Sequence, residues 1–337
     1  MHIIIFFIFS LALLLLCKKF KLCLDIKKDK HKNFASYQEN YFIGGILLIS
    51  FFAYYFITEK DYLHFFFFIS IFFIGLFADL RLFNNPKLRF LAQILIILTF
   101  VYFLKIEISS SRLKFFDNLL NNVLFNHFFT VFCLMILING SNFVDGINTL
   151  LINYYISVLG LLLFFLNDIT IDYFLVQYLF SFLIIILLFN LFGQIILGDS
   201  GSYILSLFVG LILIRLSSEN ESISPYFVIM FVWYPCFELL FSMIRRLSLS
   251  SNSYEPDTFH LHQLLLKLIK QKFNLKNNNI NHFITSSIIN LYNLCVLLFA
   301  ANYYTKTNIM LSILTINLFI YIFSYFFLRH KLKLIQN

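Results

Sequence analysis

The sequence predicts an all-α, polytopic integral membrane protein. Of its 337 residues, 60% are hydrophobic and only 12% are charged, and the mean hydropathy is +0.85. Soluble domains carry about 25% charged residues, so the composition excludes a soluble enzyme with a single anchor. Because only helices and closed barrels satisfy the backbone within lipid, the long apolar runs indicate a helical bundle.

Eleven apolar runs alternate with polar breaks along the chain. A membrane-spanning helix needs roughly 20 apolar residues, and about 17 suffice. The first run is followed by Lys18 and Lys19 and lacks the pattern of a cleaved signal peptide, so we expect it to be retained. The predicted spans are 3–17, 41–57, 62–78, 90–104, 123–138, 150–166, 173–189, 201–216, 223–243, 283–303 and 309–328.

The distribution of basic residues predicts the orientation of the bundle. Nineteen of the 25 Lys and Arg residues lie in 18–40, 79–89, 244–282 and 329–337. By the positive-inside rule, this bias places the N-terminus outside and the C-terminus in the cytoplasm. We therefore expect one transmembrane catalytic domain, 1–337, whose cytoplasmic loops are 18–40, 79–89, 139–149, 190–200 and 244–282. The net charge of +8 then reflects topology and contact with membrane lipids, and nucleic acid is not an expected partner.

The segment Gly198–Ser202 places an acid, Asp199, at the edge of a predicted span. Ionisable residues at membrane depth are expensive and mark functional sites by default. Its two glycines allow close backbone approach. The alternative is a polar turn in which Asp and Ser cap the next helix.

A second polar stretch lies between two predicted spans, at 139–149. Asn139, Asn142 and Asp145 recur every three residues, and Asn148 follows after three more. If this segment is helical, the spacing aligns their side chains on one face. Such amide and carboxylate groups suit hydrogen bonds to a nucleobase or sugar, or the binding of a cation.

Three further loops on the same side carry candidate residues. Asp79 ends a span, and Lys30 with His31 forms a basic cluster suited to phosphate or anionic lipid. The longest loop holds two basic pairs, Arg245 with Arg246 and His260 with His262. The two histidines lack the further ligands of a zinc site, and phosphate or diphosphate recognition suits them better. Plain surface positions are the alternative for each of these loops.

Several Asp and Asn side chains with basic neighbours and without a cysteine set favour a hard, oxygen-liking cation. Mg²⁺ held by one or two carboxylates and substrate phosphates fits this pattern, and Mn²⁺ is an alternative ion. The five cysteines have no metal or redox spacing. An enzyme at the cytoplasmic face is favoured over a transporter, whose polar residues would lie on interrupted helices at mid-membrane.

In order and spacing, these motifs resemble the polyprenyl-phosphate N-acetylhexosamine-1-phosphate transferases, from about Asp25 to Gln263. The family pattern Gly-x-x-Asp-Asp falls on Gly75–Asp79, with Ala78 in place of the first Asp. The resemblance implies that Asp79 acts on the lipid phosphate as a base or nucleophile. The loss of the first carboxylate puts greater weight on the remaining acids.

The family's Asn- and Asp-rich motif falls on Asn139, Asn142, Asp145 and Gly146, and Asn148 and Thr149 replace its last Asp and Gly. The resemblance implies that these residues bind the nucleotide and that Asp145 assists catalysis and metal binding. The family's Gly-Asp-x-Gly-Ser matches at 198–202 in full, which implies that Asp199 is a catalytic Mg²⁺ ligand. The preceding Asn190 falls on a position associated with nucleotide contact.

The loop with Arg245, Arg246, His260 and His262 resembles the Arg-Arg and His-x-His-His loop of the GlcNAc-1-phosphate branch, with Gln263 for the last His. The resemblance implies transfer of a sugar-1-phosphate from a UDP-N-acetylhexosamine to undecaprenyl phosphate, with release of UMP, at a bacterial inner membrane. It also allows a homodimer. Alternatives are a translocase of the peptidoglycan type, a non-catalytic lipid-binding relative and a secondary transporter.

Overall fold

A computed structural model describes residues 2–24, 40–165, 171–248, 259–273 and 277–336. Within this part of the chain the only β-type pairing is two isolated bridges, and the rest is helical or loop. The all-α prediction is therefore confirmed. The described helices are α1 (His2–Phe20), α2 (Gly44–Thr58), α3 (Tyr62–Asp79), α4 (Pro86–Leu104), α5 (Lys114–Leu120), α6 (Val123–Val144), α7 (Leu150–Leu162), α8 (Ile171–Leu191), α9 (Gly198–Glu219), α10 (Pro225–Met230), α11 (Trp233–Ser248), α12 (Leu261–Phe273), α13 (Asn278–Ala301) and α14 (Thr307–Gln336).

Eight of the described helices are long and apolar enough to cross a membrane: α1, α3, α4, α6, α8, α9, α13 and α14. The predicted spans at 41–57 and 150–166 correspond to shorter apolar helices, α2 and α7. A polytopic membrane protein is consistent with this arrangement. The total of eleven spans and the orientation of the termini stay predictions.

The predicted span 223–243 is not one helix, because the chain breaks between α10 and α11. Pro235 lies in the first turn of α11 and has no N–H to donate to the carbonyl four residues earlier. That carbonyl, of Phe231, instead accepts a hydrogen bond from the Tyr154 hydroxyl at 3.0 Å. The break therefore has a local cause, and a side chain from α7 satisfies the backbone group that it frees.

Helix α9 lies at the centre of the bundle. Of the residues in its apolar stretch, 78% are buried, which is the highest share among the eight candidate spans. It packs against α2, α3 and α6, and α6 in turn packs against α4 and α11. A second group of helices consists of α7, α12, α13 and α14. It packs against the helices around α9 through contacts of α7 with α6 and α8.

Several helices extend into segments predicted as loops. Helix α6 continues to Val144 and α9 begins at Gly198, so the stretches 139–149 and 190–200 are partly helical. Helix α12 occupies part of the predicted loop 244–282. In the helical parts of these segments, residues three or four positions apart lie on the same face of the helix. The helices therefore decide which candidate residues lie close together.

Candidate active site

The start of α9 is held against α2 and α3 by glycines. A Cβ added to Gly75 would lie 2.4 Å from Ser200 Cα, and one added to Gly45 would lie 2.2 Å from Ser200 Oγ. Neither distance is physically accessible, so both helices touch the backbone of α9 only because these residues lack a side chain. The glycine of the Gly-x-x-Asp-Asp pattern thus has a structural reason, which is the close approach of α3 to Ser200.

Asp79, at the last turn of α3, binds the N-terminus of α9. Its carboxylate accepts hydrogen bonds from the Asp199 N–H at 2.8 Å, the Ser200 N–H at 3.1 Å and the Ser200 hydroxyl at 2.7 Å. The first N–H groups of a helix have no partner within it and carry a partial positive charge. Asp79 supplies both the acceptor and the negative charge that this helix end requires.

Gly198 lies where Asp79 of α3 contacts the start of α9. Its φ is +71°, in the left-handed region, and a Cβ there would lie 2.7 Å from an Asp79 carboxylate oxygen. Any side chain would therefore meet both backbone strain and a steric clash. The glycine leaves room for Asp79 to reach the helix end.

Asp199 itself points towards α4 and the end of the bundle. Arg89 Nη1 donates to Asp199 Oδ2 at 2.8 Å, and the Tyr203 hydroxyl lies 3.5 Å from the same oxygen. Roughly a quarter of each charged side chain is exposed. The two acids near the start of α9 thus differ in their partners, since Asp79 binds backbone N–H groups and the Ser200 hydroxyl, and Asp199 binds a guanidinium.

The Asn- and Asp-rich motif begins on the last turns of α6, beside α9. Asn142 Nδ2 lies 3.4 Å from the Tyr203 hydroxyl, and the Ser202 hydroxyl lies 3.5 Å from Asn142 Oδ1. Asn139 Nδ2 donates to Gln93 Oε1 of α4 at 3.2 Å and to the Met135 carbonyl at 2.9 Å. The helical spacing predicted for Asn139 and Asn142 is therefore confirmed, and Asn142 joins the motif to Asp199.

The predicted stripe does not reach Asn148. Helix α6 ends at Val144, Asp145 occupies its C-terminal cap, and Gly146–Asn148 form a turn before α7. The glycine at 146 does not support a further helical turn. Expecting Asn148 on the same helical face was wrong, although its side-chain amide nitrogen is buried without a hydrogen-bond partner.

Asn190 shapes the turn that follows the motif. Its Oδ1 accepts a hydrogen bond from the Thr149 N–H, and its Nδ2 donates to the Ile195 carbonyl at 2.7 Å. The side chain is buried and joins the α6–α7 turn to the loop before α9. Both ends of its amide are thus occupied by backbone groups, and contact with a nucleotide through Asn190 stays a prediction.

Thr149 occupies the position of a family glycine and has a φ of 66°. This left-handed conformation is rare for a β-branched residue. The Thr149 hydroxyl forms a buried hydrogen bond with that of Ser286 on α13, and the neighbouring Asn148 N–H donates to His282 Nδ1 at 3.3 Å. Contacts with α13 therefore hold the turn in a conformation for which glycine is better suited.

The two histidines of the last motif are buried against an acid on α11. His260 Nδ1 lies 2.9 Å from Glu238 Oε1, and His262 Nδ1 lies 3.9 Å from Glu238 Oε2. The two imidazole rings stack at 5.4 Å. A Cβ added to Gly146 would lie 3.6 Å from His262 Nε2, so this ring adjoins the Asn- and Asp-rich motif.

The protonation of His262 follows from its burial. Removal from water lowers the pKa of His262 from its ordinary value of 6.5 to about 4, although Glu238 opposes this shift. His262 is therefore neutral at pH 7. Neither of its ring nitrogens has a hydrogen-bond partner, although both are buried.

The two arginines of the same motif have different positions. Arg245 is buried and donates to the Phe259 carbonyl, to the Tyr325 hydroxyl at 2.8 Å and to the Ser242 hydroxyl at 3.1 Å. Arg246 is partly exposed, and its guanidinium lies 6.0 Å from the centre of the Phe143 ring. Arg245 therefore anchors the start of the histidine motif, whereas Arg246 reaches the Asn- and Asp-rich motif.

Four of the five predicted loops thus come together at one end of the bundle. Asp79 meets Asp199, Asn142 meets the start of α9, and Gly146 meets His262. The remaining loop is 18–40, and its candidate residues Lys30 and His31 lie outside the described residues. The roles assigned to the individual residues of this end stay predictions.

Sequence reasoning missed four polar residues of this site: Gln93, Arg89, Tyr203 and Glu238. Glu238 carried the clearest signal, because it is an acid within an apolar run. Arg89 and Gln93 had no motif of their own. Their importance follows only from the packing of α4 against α6.

The donor groups fit Mg²⁺ only if a substrate completes the coordination. Among the described residues, no three His, Cys, Asp or Glu side chains are grouped as a metal site. Mg²⁺ commonly takes one or two carboxylates together with water and substrate phosphates. Asp199, with the Asn142 and Tyr203 oxygens nearby, offers hard oxygen donors of this kind.

Comparison of the sequence with known protein families covers three of these motifs. Residues 62–217, which include Asp79, the Asn- and Asp-rich motif and Asp199, match glycosyl transferase family 4. The family resemblance expected from the motifs is therefore confirmed.

The relatives carry a more specific name. An undecaprenyl-phosphate alpha-N-acetylglucosaminyl 1-phosphate transferase of Salmonella typhi is 27% identical over 203 residues, which are 58% of this chain and 55% of the relative. The enzyme of the same name from Escherichia coli K12 is 26% identical over 153 residues, 42% of this chain and 41% of the relative. The matched region thus spans about half the length of these relatives or less.

Proposed function

We propose that this protein transfers an N-acetylhexosamine-1-phosphate from a UDP-sugar to undecaprenyl phosphate and releases UMP, so starting a cell-envelope polysaccharide. The observation that carries the proposal is the meeting of Asp79, Asp199 and Asn142 around the start of α9. These residues come from three separate motifs, and all three lie within the segment that matches glycosyl transferase family 4. The relatives named above act on undecaprenyl phosphate by their names.

The proposed reaction is a phosphoryl transfer. An oxygen of the lipid phosphate forms a bond to the sugar-bearing phosphorus of the donor, and the bond from that phosphorus to the bridging oxygen breaks. The electron pair stays on the bridging oxygen, which leaves as part of UMP. Such reactions depend on positioning and on stabilisation of phosphate charge, with little covalent chemistry for the protein.

Asp79 has a defined task in this scheme. Because its carboxylate accepts three hydrogen bonds from Asp199 and Ser200, it holds the α9 end in place. The family resemblance implies that it acts on the lipid phosphate as a base or nucleophile. The hydrogen bonds favour a positioning role, which would act through the orientation of Asp199.

Asp199 and its neighbours form the charged part of the site. Asp199, assisted by Asp145, would hold Mg²⁺ or Mn²⁺, which supplies charge neutralisation for the donor diphosphate. Arg89, now bound to Asp199, brings a guanidinium to the same place, where it suits phosphate oxygens. Asn139, Asn142 and Asn148 supply amide groups for the donor.

The histidine motif would bind the other end of the donor. His260, His262 and Arg246 lie beside the Asn- and Asp-rich motif. A neutral His262 presents a nitrogen that accepts hydrogen bonds from hydroxyl or amide groups of a sugar. The basic loops face the cytoplasm of a bacterial inner membrane in this proposal.

An assay on purified protein in lipid nanodiscs tests the proposal. With undecaprenyl phosphate and Mg²⁺ present, a panel of UDP-N-acetylhexosamines is supplied one at a time and UMP is measured. We expect UMP from at least one donor, no UMP without the lipid phosphate, and loss of activity with EDTA that added Mg²⁺ restores.

Three outcomes would contradict parts of the proposal. Turnover of UDP-MurNAc-pentapeptide in preference to the hexosamines would indicate the peptidoglycan type. Solute uptake into proteoliposomes without UMP formation would indicate a transporter. Binding of undecaprenyl phosphate without turnover of any donor would indicate a non-catalytic relative.

A further inference from the structure

Glu238 is a buried acid for which the proposed reaction has no role. It lies in the middle of α11, and its side chain is 1% exposed. An acid this far from water is costly unless partners stabilise its charge, and in a membrane protein it is a functional residue by default. Its surroundings therefore indicate what it does.

The carboxylate of Glu238 contacts the histidine motif at three points. Oε1 lies 2.9 Å from His260 Nδ1 and accepts a hydrogen bond from the Leu261 N–H at 3.3 Å. Oε2 lies 3.9 Å from His262 Nδ1. One carboxylate thus reaches both histidines and the first backbone N–H of α12.

This geometry defines the tautomer of His260. An ionised carboxylate only accepts hydrogen bonds, so the proton between the two groups belongs to Nδ1 of the imidazole. In the neutral ring, Nε2 is then the nitrogen with the free lone pair. Acids behind metal-binding histidines act in the same way, by fixing the ring orientation and the tautomer.

Further contacts connect the two histidines with the Asn- and Asp-rich motif. Arg245 holds the carbonyl of Phe259, the residue before His260, and the His260 ring packs against Phe143 at 5.2 Å between ring centres. His262 adjoins Gly146. Movement of Glu238 would therefore displace both histidines relative to the Asn- and Asp-rich motif.

We propose that Glu238 is a positioning residue for the sugar-1-phosphate transfer, which fixes the His260 tautomer and holds both histidines beside the Asn- and Asp-rich motif. This inference rests on the proposed function for its catalytic consequence. The histidine geometry that it describes is open to test without turnover.

The first test is ¹⁵N NMR of protein labelled on histidine, in nanodiscs, with a His260→Asn variant to assign the signal. We expect His260 to be protonated at Nδ1 in the unaltered protein and to lose that preference in Glu238→Ala. Glu107→Gln is the matched control, because Glu107 lies 3.5 Å from His127 in another acid–histidine pair. It should leave the His260 signal unchanged, and an unchanged His260 tautomer in Glu238→Ala would overturn the inference.

The second test is a double-mutant cycle on UMP release. We expect Glu238→Ala to lower kcat/KM by about 10- to 100-fold, as for other residues that orient a reactive histidine. Glu238→Gln keeps an acceptor oxygen and should lose less. If Glu238 acts through His260, the double variant Glu238→Ala/His260→Ala will be no slower than His260→Ala alone, whereas multiplied losses would contradict the proposal.

The two tests separate this inference from the proposed function. If the unaltered protein makes no UMP but the His260 tautomer depends on Glu238, the proposed function fails and the positioning geometry stands. If UMP forms but the tautomer and the rate are indifferent to Glu238, the proposed function stands and the positioning role fails.

Discussion

The start of α9 and the histidine motif both place a carboxylate at the same end of the bundle, but with different partners. Asp79 binds two backbone N–H groups and a hydroxyl of Ser200, none of which titrates near neutral pH. Glu238 accepts a hydrogen bond from one backbone N–H and faces two imidazole rings, those of His260 and His262. The second region should therefore respond to acid through His262, whose pKa burial lowers to about 4.

The same comparison separates the chemistry of the two regions. Asp199 at the start of α9 is partly exposed and paired with Arg89, which suits an exchangeable cation or phosphate. The two histidines are buried, which suits fixed positions beside the Asn- and Asp-rich motif. The experiments below alter one region at a time.

The largest effect is expected for Asp199→Ala. Loss of the carboxylate that would hold the cation and contact the donor phosphates should lower kcat by about 10²- to 10³-fold, the usual scale for one electrostatic stabiliser. UMP release by the purified variant measures it. The ion pair with Arg89 is partly exposed and contributes about 1 kcal/mol to folding, so the variant should still fold.

Asp61→Asn is the matched control for Asp199→Ala. Asp61 caps the opposite end of α3, where it accepts a hydrogen bond from the His64 N–H. This variant should keep wild-type turnover. Wild-type turnover in Asp199→Ala itself would remove Asp199 from the reaction.

Asp79→Asn should lower both activity and stability. An amide keeps one acceptor oxygen, so at least one of the hydrogen bonds from the Asp199 and Ser200 N–H groups is lost. Each charge-assisted hydrogen bond contributes about 1.5–3 kcal/mol, so we expect a clear fall in the melting temperature in detergent. Ser200→Ala removes a single bond to the same carboxylate and should cost about 1.5 kcal/mol, the lower end of this range.

This pair of variants separates the two roles considered for Asp79. A base that does not support the fold would leave the melting temperature unchanged in Asp79→Asn while activity falls. A positioning residue lowers both together, and Ser200→Ala would then show a smaller loss of each.

Acid should destabilise the histidine region through His262. The pKa of His262 is about 4 in the folded protein and 6.5 ordinarily, so the unfolded chain binds more protons between these values. Stability from this group is therefore complete above about pH 6.5 and falls as the pH drops towards 4. Glu238 and His260 are the charged or titratable groups that face the same ring.

Thermal melting from pH 7.5 to 4.5 measures this dependence. His262→Gln, which cannot titrate, should give a flatter pH profile than the unaltered protein. An identical slope in His262→Gln would show that another group causes the acid sensitivity.

The smallest effect concerns Thr149. Thr149→Gly and Thr149→Ala both remove the hydrogen bond to Ser286, but only glycine relieves the left-handed backbone. We expect the glycine variant to be more stable than the alanine variant by about 1 kcal/mol. Urea or thermal unfolding of the two proteins compares them, and equal stability would mean that the φ of 66° carries no strain.

The apolar runs predicted the helices well because composition alone decides them. Each of the predicted spans overlaps a described helix, and 223–243 overlaps two. The break depends on Pro235 and on Tyr154, which is distant in sequence. A run of apolar residues does not reveal such a partner.

The candidate site was predictable where a motif concentrates polar residues. Asp199, Asn142 and His262 were found in this way, and the structure brings their motifs together. Glu238 was missed because its neighbours in sequence are apolar and its partners lie in another helix. The binding of Asp79 to the start of α9 also depends on a contact across 120 residues, which no local pattern contains.

The most direct test of the account follows the two phosphorus atoms of the donor separately. UDP-GlcNAc labelled with ³²P in either the α or the β position is incubated with the protein, undecaprenyl phosphate and Mg²⁺, and the lipid is extracted. Sugar-1-phosphate transfer predicts that the β label enters the lipid and the α label stays in water-soluble UMP. A sugar-bearing lipid without the β label, with both labels left in UDP, would contradict it.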